Sequence, residues 1–176
     1  LGTLSNTGSI FAFTTVAGMT LQQGMFVGSL GSMGLVNNAG TIFGPSGIRN
    51  NGQIASIANS GSISGFPLFA INNVGTIGTI TNSLGGSIGG GTAILNNGSI
   101  GAIINAGSIT GGSNALTNNG TLGALTNSGR MDYVNNGTVG SIGTVANSGF
   151  IVNFVNTGGL IASINNTGTI AGGTTN

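Results

Sequence analysis

Residues 96–112 read NNGSIGAIINAGSITGG, and the fold follows from how this stretch is read. Asn-x-Gly-Ser-Ile starts at Asn96 and starts again at Asn105, nine residues later, with no charged side chain between. Outward from this stretch the same unit recurs in two forms. The first, apolar-x-x-apolar-x-Asn followed by glycine and an apolar residue, occurs eight times: LGTLSNTGSI from Leu1, IASIANSGSI from Ile54, IGTITNSLGGSI from Ile77, IGAIINAGSI from Ile100, LGALTNSGRM from Leu122, IGTVANSGFI from Ile142, IVNFVNTGGL from Ile151 and IASINNTGTI from Ile161. The second carries paired asparagines: LVNNAGTI from Leu35, IRNNGQI from Ile48, INNVGTI from Ile71, ILNNGSI from Ile94, LTNNGTL from Leu116 and VNNGTV from Val134.

The two forms alternate through the middle of the chain. The glycines of the paired-asparagine turns stand at 52, 75, 98, 120 and 137, in steps of 23, 23, 22 and 17 residues. A fixed period near this length marks a solenoid, in which each repeat is too small to bury its own apolar face and must stack on its neighbours. Short runs rich in isoleucine, valine and threonine, punctuated by Asn-Gly, Ser-Gly and Gly-Gly, read as strands and turns rather than helices. The expectation is an all-β parallel solenoid of about seven or eight rungs of roughly 22 residues. It spans residues 1–176 as one unit, most regular over 48–170, while 11–47 fit the pattern poorly and read as degenerate rungs or a lateral excursion.

Side chains at equal positions of successive rungs should stack. Core columns are expected from Ile54, Ile57, Ile77, Ile80, Ile100, Ile103, Leu122, Leu125, Ile142 and Val145. Amide ladders are expected from Asn59, Asn82, Asn105, Asn127 and Asn147 in the first form, and from Asn73, Asn97, Asn119 and Asn136 in the second. Glycine at the corners is expected because it, and asparagine better than most residues, tolerates positive φ.

Stacking also accounts for the composition. Charged residues are 2% of the 176, against a usual share of about 25%. They are Arg49, Arg130 and Asp132, and histidine, cysteine, lysine, glutamate and tryptophan are absent. A charge repeated at one position of a rung would face its own kind about 4.8 Å away on the next. Serine, threonine and asparagine can instead donate to and accept from their own copies. With a mean hydropathy of +0.42 and a net charge of +1, the chain lacks the signature of disorder. Only Pro45 and Pro67 occur and Gly-X-Y is missing, so collagen is excluded.

The same inventory bears on function. One aspartate cannot supply the pair of titrating groups that glycoside chemistry needs, and Arg130 with Asp132 reads as a solvated surface pair, so the chain is expected not to be an enzyme. No metal and no cofactor are expected, since calcium-binding β-rolls carry aspartates in their turns and GGSIGGGT at 85–92 lacks the lysine of a phosphate loop. Without a basic cluster there is no footprint for nucleic acid. Apolar runs never reach 18 residues, so no membrane-spanning segment is expected, and one tyrosine cannot make the girdles of a membrane barrel. Phe66, Pro67, Leu68 and Phe69 read as a loop that folds its rings into the core, the alternative being an exposed apolar contact for a partner or another subunit. The chain begins at Leu1 without methionine or signal peptide and is expected to be processed or part of something longer.

NNGSIGAIINAGSI and NNGTLGALTNSG, taken together, resemble the β-strand repeats of bacterial surface proteins, namely autotransporter passengers and filamentous-haemagglutinin-type adhesins. The resemblance covers about residues 48–170 and the first ten. It implies a right-handed parallel β-helix, export and a place outside the cell or on the bacterial surface. The expected role is a structural segment or self-assembling subunit of a filament, stalk or adhesin. Its partners would be copies of itself, the flanking repeats of a longer chain, or a glycan or host surface. Longitudinal contacts are assigned to Leu1, Leu4, Ile10, Ile161, Ile164 and Ile170 in the terminal repeats. The alternative from another class is a binding solenoid using a flat face of threonines and asparagines for ice or a glycan, which requires a regular threonine file.

Overall fold

The computed structural model describes residues 2–12 and 23–172. Its strands in chain order are β1 (Gly2–Asn6), β2 (Ser9–Phe11), β3 (Gln23–Val27), β4 (Ser32–Asn38), β5 (Thr41–Asn50), β6 (Gln53–Asn59), β7 (Ser62–Asn73), β8 (Thr76–Asn82), β9 (Ser87–Asn96), β10 (Ser99–Asn105), β11 (Ser108–Asn118), β12 (Thr121–Asn127), β13 (Arg130–Asn136), β14 (Ser141–Asn147), β15 (Phe150–Asn156), β16 (Leu160–Asn166) and β17 (Thr169–Gly172). From β4 onward successive strands go to opposite sheets. One sheet runs β1-β4-β6-β8-β10-β12-β14-β16, the other β17-β15-β13-β11-β9-β7-β5-β2, with β3 also on β5. Every pairing among them is parallel, giving a β-solenoid of about seven turns with coils spaced near 22 residues.

The two sequence forms fold as one half-coil. In β8 the side chains of Ile77, Ile80 and Asn82 are buried, and in β13 those of Met131, Val134 and Asn136. The spacing of three and then two departs from strict strand alternation. Two consecutive residues face outward, and the inward file resumes beyond them. Paired asparagines do not mark one sheet: LVNNAGTI supplies the end of β4 in the first sheet, and IVNFVNTGGL supplies β15 in the second. In β5, β7, β9 and β11 extra residues separate the two apolar positions, as in Ile63 to Ile71, and register shifts mark their entry.

The core is a column between the sheets. Ile100 stacks on Ile77, Ile103 on Ile80 and Ile109 on Ile88. With Leu122 and Leu125 on the next coil, these side chains are 0–1% exposed. In the longer half-coils a small inserted side chain also enters the column, Ala70, Ala93 and Ala115 being fully buried beside Ile71, Ile94 and Leu116, while the bulkier inserted residues Phe66 and Pro67 stay exposed. At the widest insertion a Cβ on Gly65 would collide with the carbonyl of Phe69, which pinches the loop shut. Phe66 is 68% exposed and Phe69 half-buried, so Phe66 does not fold into the core as expected from the sequence.

Within residues 11–47, residues 13–22 lie outside the described part. From Ser32 onward the chain is in regular coils, with β4 paired to β6 from Ser32↔Gln53 to Asn38↔Asn59.

Corner glycines serve close approach, not positive φ. Among the described residues the only glycines with positive φ are Gly85 (83°) and Gly158 (98°), both in longer corners. At the regular corners a Cβ would collide with the carbonyl oxygen of the coil before: Gly75 with Gly52, Gly98 with Gly75, Gly120 with Gly98. The coil spacing near 4.8 Å thus selects glycine. Gly98→Ala is expected to cost about 1–3 kcal/mol through overpacking, seen as a lower urea midpoint. Gly112→Ala, whose Cβ would meet nothing nearer than 3.6 Å, is expected to stay within about 0.5 kcal/mol of the parent.

Candidate functional site

Histidine, cysteine, lysine and glutamate being absent, the side chains with the most directional chemistry are amides. The half-coil pattern places one asparagine at the end of nearly every strand, facing inward at a corner. In the first sheet these form a file of Asn6, Asn38, Asn59, Asn82, Asn105, Asn127, Asn147 and Asn166, joined by side-chain hydrogen bonds of 2.7–2.9 Å. In the second the file is Asn50, Asn73, Asn96, Asn118, Asn136 and Asn156, joined at 2.8–2.9 Å.

Each asparagine inside the two files both donates and accepts. Asn59, fully buried, accepts from Asn38 at Oδ1 and donates from Nδ2 to Asn82 Oδ1 at 2.8 Å, to Gly61 O at 3.1 Å and to Ser87 O at 3.0 Å. An amide suits the position because it is donor and acceptor at once and reproduces both roles one coil away. Aspartate would present acceptors only. The bond to Gly61 closes the corner, and the bonds to Asn82 and Ser87 tie that corner to the next coil.

Asn59, Asn82, Asn105, Asn127, Asn147, Asn73 and Asn136 all lie in these buried files. Asn97 and Asn119 do not. They stand outside the corner, where Asn119 Nδ2 donates to Asn97 Oδ1 at 3.0 Å in an exposed pair. The buried positions belong to the preceding residues, Asn96 and Asn118, because the inward asparagine of a regular corner stands two before the glycine. That spacing holds at Asn59-Ser-Gly61 and Asn105-Ala-Gly107, and it was available in the sequence. Asn6, Asn38, Asn50, Asn156 and Asn166 were missed for want of the same rule. The second file stops at Asn50, since the position beneath it is Val27, and Gly52 N–H donates to the Asn50 Oδ1 at 3.2 Å instead.

All ten expected core residues are buried: Ile54, Ile57, Ile77, Ile80, Ile100, Ile103, Leu122, Leu125, Ile142 and Val145. Of those assigned to end contacts, Leu1 lies outside the described residues. Leu4, Ile10, Ile161 and Ile170 are partly buried against the core, and Ile164 is 45% exposed. Among the described residues β1 pairs only with β4, and β16 only with β14, so each end of the first sheet has an edge that no described strand covers.

The charged groups do not assemble a reaction centre. Arg130 pairs with Asp132 at 2.7 Å and lies 5.5 Å from the ring centroid of Phe150, its neighbour on the next coil. Arg49 lies 6.0 Å from the ring of Phe26, likewise its neighbour on the adjacent coil. Each arginine thus faces an aromatic ring across the coil spacing, an attractive contact, and not a second cation. On the outer face of the first sheet one file reads Leu35, Ser56, Thr79, Ala102, Ala124, Thr144 and Ser163, so threonine is not regular there.

Asn118→Ala is expected to leave Asn96 Nδ2 and Asn136 Oδ1 short of a partner and to cost about 1–3 kcal/mol in denaturant unfolding. Asn119→Ala is expected to change stability by no more than about 0.5 kcal/mol. Asn105→Asp, which sets a buried carboxylate against the carbonyls of Gly107 and Arg130, is expected to cost about 3–5 kcal/mol. No protein-family model matches this chain, and neither a curated protein nor a solved structure matches it.

Proposed function

We propose that this chain is a non-catalytic structural solenoid, a segment or self-assembling subunit of an extracellular bacterial filament, stalk or adhesin, which stacks end to end through its terminal coils. The observation that carries the reading is the state of those coils. β16 is exposed along most of its length, and its corner reads Asn166-Thr-Gly-Thr-Ile. β1 is likewise mostly exposed, and its corner reads Asn6-Thr-Gly-Ser-Ile. Both ends therefore carry the sequence that interior coils use to bind one another, without a polar capping turn among the described residues. Exposed strand edges of this kind template further pairing.

The placement outside a bacterial cell rests on the resemblance of the Asn-x-Gly-Ser/Thr-Ile repeats to bacterial surface proteins. A surface almost free of charge gives little colloidal repulsion and favours association, in keeping with a chain whose working state is an assembly. The reading leaves Asp132 without a chemical task. Purified chain at rising concentration is expected to form uniform filaments in the electron microscope, with a meridional reflection near 4.8 Å. Isolated rods about as long as one chain at every concentration would overturn self-assembly.

A further inference from the structure

The ladders have a direction. Among the described residues all twelve bonds within the two buried asparagine files run from Nδ2 of the earlier coil to Oδ1 of the later one, while the exposed pair outside the files, Asn119 to Asn97, runs the other way. The orientation of each amide is fixed by its surroundings. Asn105 Nδ2 also reaches the carbonyls of Gly107 at 3.3 Å and Arg130 at 3.0 Å, and an oxygen in its place would meet two further oxygens. Backbone bonds at the corners run the opposite way. Thr167 and Gly168 N–H donate back to Asn147 O at 2.8 and 3.0 Å, and Thr169 N–H donates to Gly149 O at 2.9 Å.

The two ends of the first file are therefore chemically opposite. The end formed by β16 turns outward the amide Nδ2 of Asn166, whose bond in the chain is a long one of 3.4 Å to Gly168 O, together with the corner carbonyls. The β1 end turns outward Asn6 Oδ1 and the corner N–H groups of Thr7, Gly8 and Ser9. Where one end donates, the other accepts.

Resting on the end-to-end reading above, we infer that a second copy of this chain joins only head to tail, its β1 coil seated on the β16 coil of the first, so that the assembly is polar along its whole length. The junction repeats the contact that the last corner makes with the one before. Thr7 and Gly8 N–H of the second copy donate to Asn166 O, Ser9 N–H donates to Gly168 O, and Asn166 Nδ2 donates to Asn6 Oδ1 and Ser9 O. Leu4 and Ile10 of the second copy cover Ile164 and Ile170. A junction of two β16 ends would instead oppose Nδ2 to Nδ2 and carbonyl to carbonyl. Such a head-to-tail contact is heterologous and stays open, so growth adds one copy at a time without closing.

Gly8 supplies the test. A Cβ on Gly8 has nothing within 4 Å in the single chain, whereas one on Gly168 collides with Gly149 of the coil before. Gly8→Leu is thus tolerated by the free chain but blocks the β1 end against a partner. Asn166→Asp blocks the β16 end, replacing its donor by a carboxylate aimed at acceptors. With circular dichroism verifying that both fold as the parent does, sedimentation of each variant alone and of an equal mixture reads the polarity. Expected are filaments from the unsubstituted chain, monomers from each variant alone, and one-to-one dimers from the mixture. Dimers of Gly8→Leu alone or of Asn166→Asp alone would overturn the polarity and leave end-to-end stacking in place. Filaments from both variants at the parent's concentration dependence would overturn both, since association would then be lateral. An unsubstituted chain that stays monomeric would overturn the stacking reading and the polarity with it.

Discussion

A single translation governs this molecule: each coil meets the next about 4.8 Å away, residue over equal residue. Whatever stands at a position must tolerate its own copy at that distance. The buried asparagine answers this with an amide that donates on one side and accepts on the other, so Asn59, Asn82 and Asn105 satisfy one another in series. Aliphatics answer it by simple contact, as Ile57 does on Ile80. Glycine answers it where the corner leaves no space for a Cβ, as at Gly98 over Gly75. A charge answers it only when the neighbour is of another kind, which is why Arg49 and Arg130 each sit beside a phenylalanine of the adjacent coil.

The scarcity of charge is thus a structural consequence before it is a functional one. It leaves Asp132 as the one side-chain carboxylate and little electrostatic repulsion between copies. The side-chain ladder and the corner amides run in opposite senses, and together they give each end of the solenoid its own pattern of donors and acceptors.

Much of this was legible in the sequence because a solenoid writes its geometry in one dimension. The recurrence of Ile77, Ile100 and Leu122 gave the coil length and the inward column, and Asn82, Asn105 and Asn127 gave a corner file. What misled was local ambiguity. In Asn96-Asn97 and Asn118-Asn119 either residue could turn inward, and only counting back from Gly98 and Gly120 selects the first of each pair. The reason for the corner glycines could not be read from one coil, because the obstacle is the carbonyl of another. Phe66 likewise depended on the width of the column, which Ile63, Ala70 and Ile71 occupy.

Side-chain amide hydrogen exchange, followed residue by residue by nuclear magnetic resonance, tests most directly whether the buried ladders hold the coils together. The account predicts strong protection of the Nδ2 protons of Asn59, Asn82, Asn105 and Asn127, lasting as long as that of the neighbouring strand amides, beside near-solvent exchange at Asn97 and Asn119. Equal, rapid exchange at all of these asparagines, in a chain whose strand amides remain protected, would contradict it.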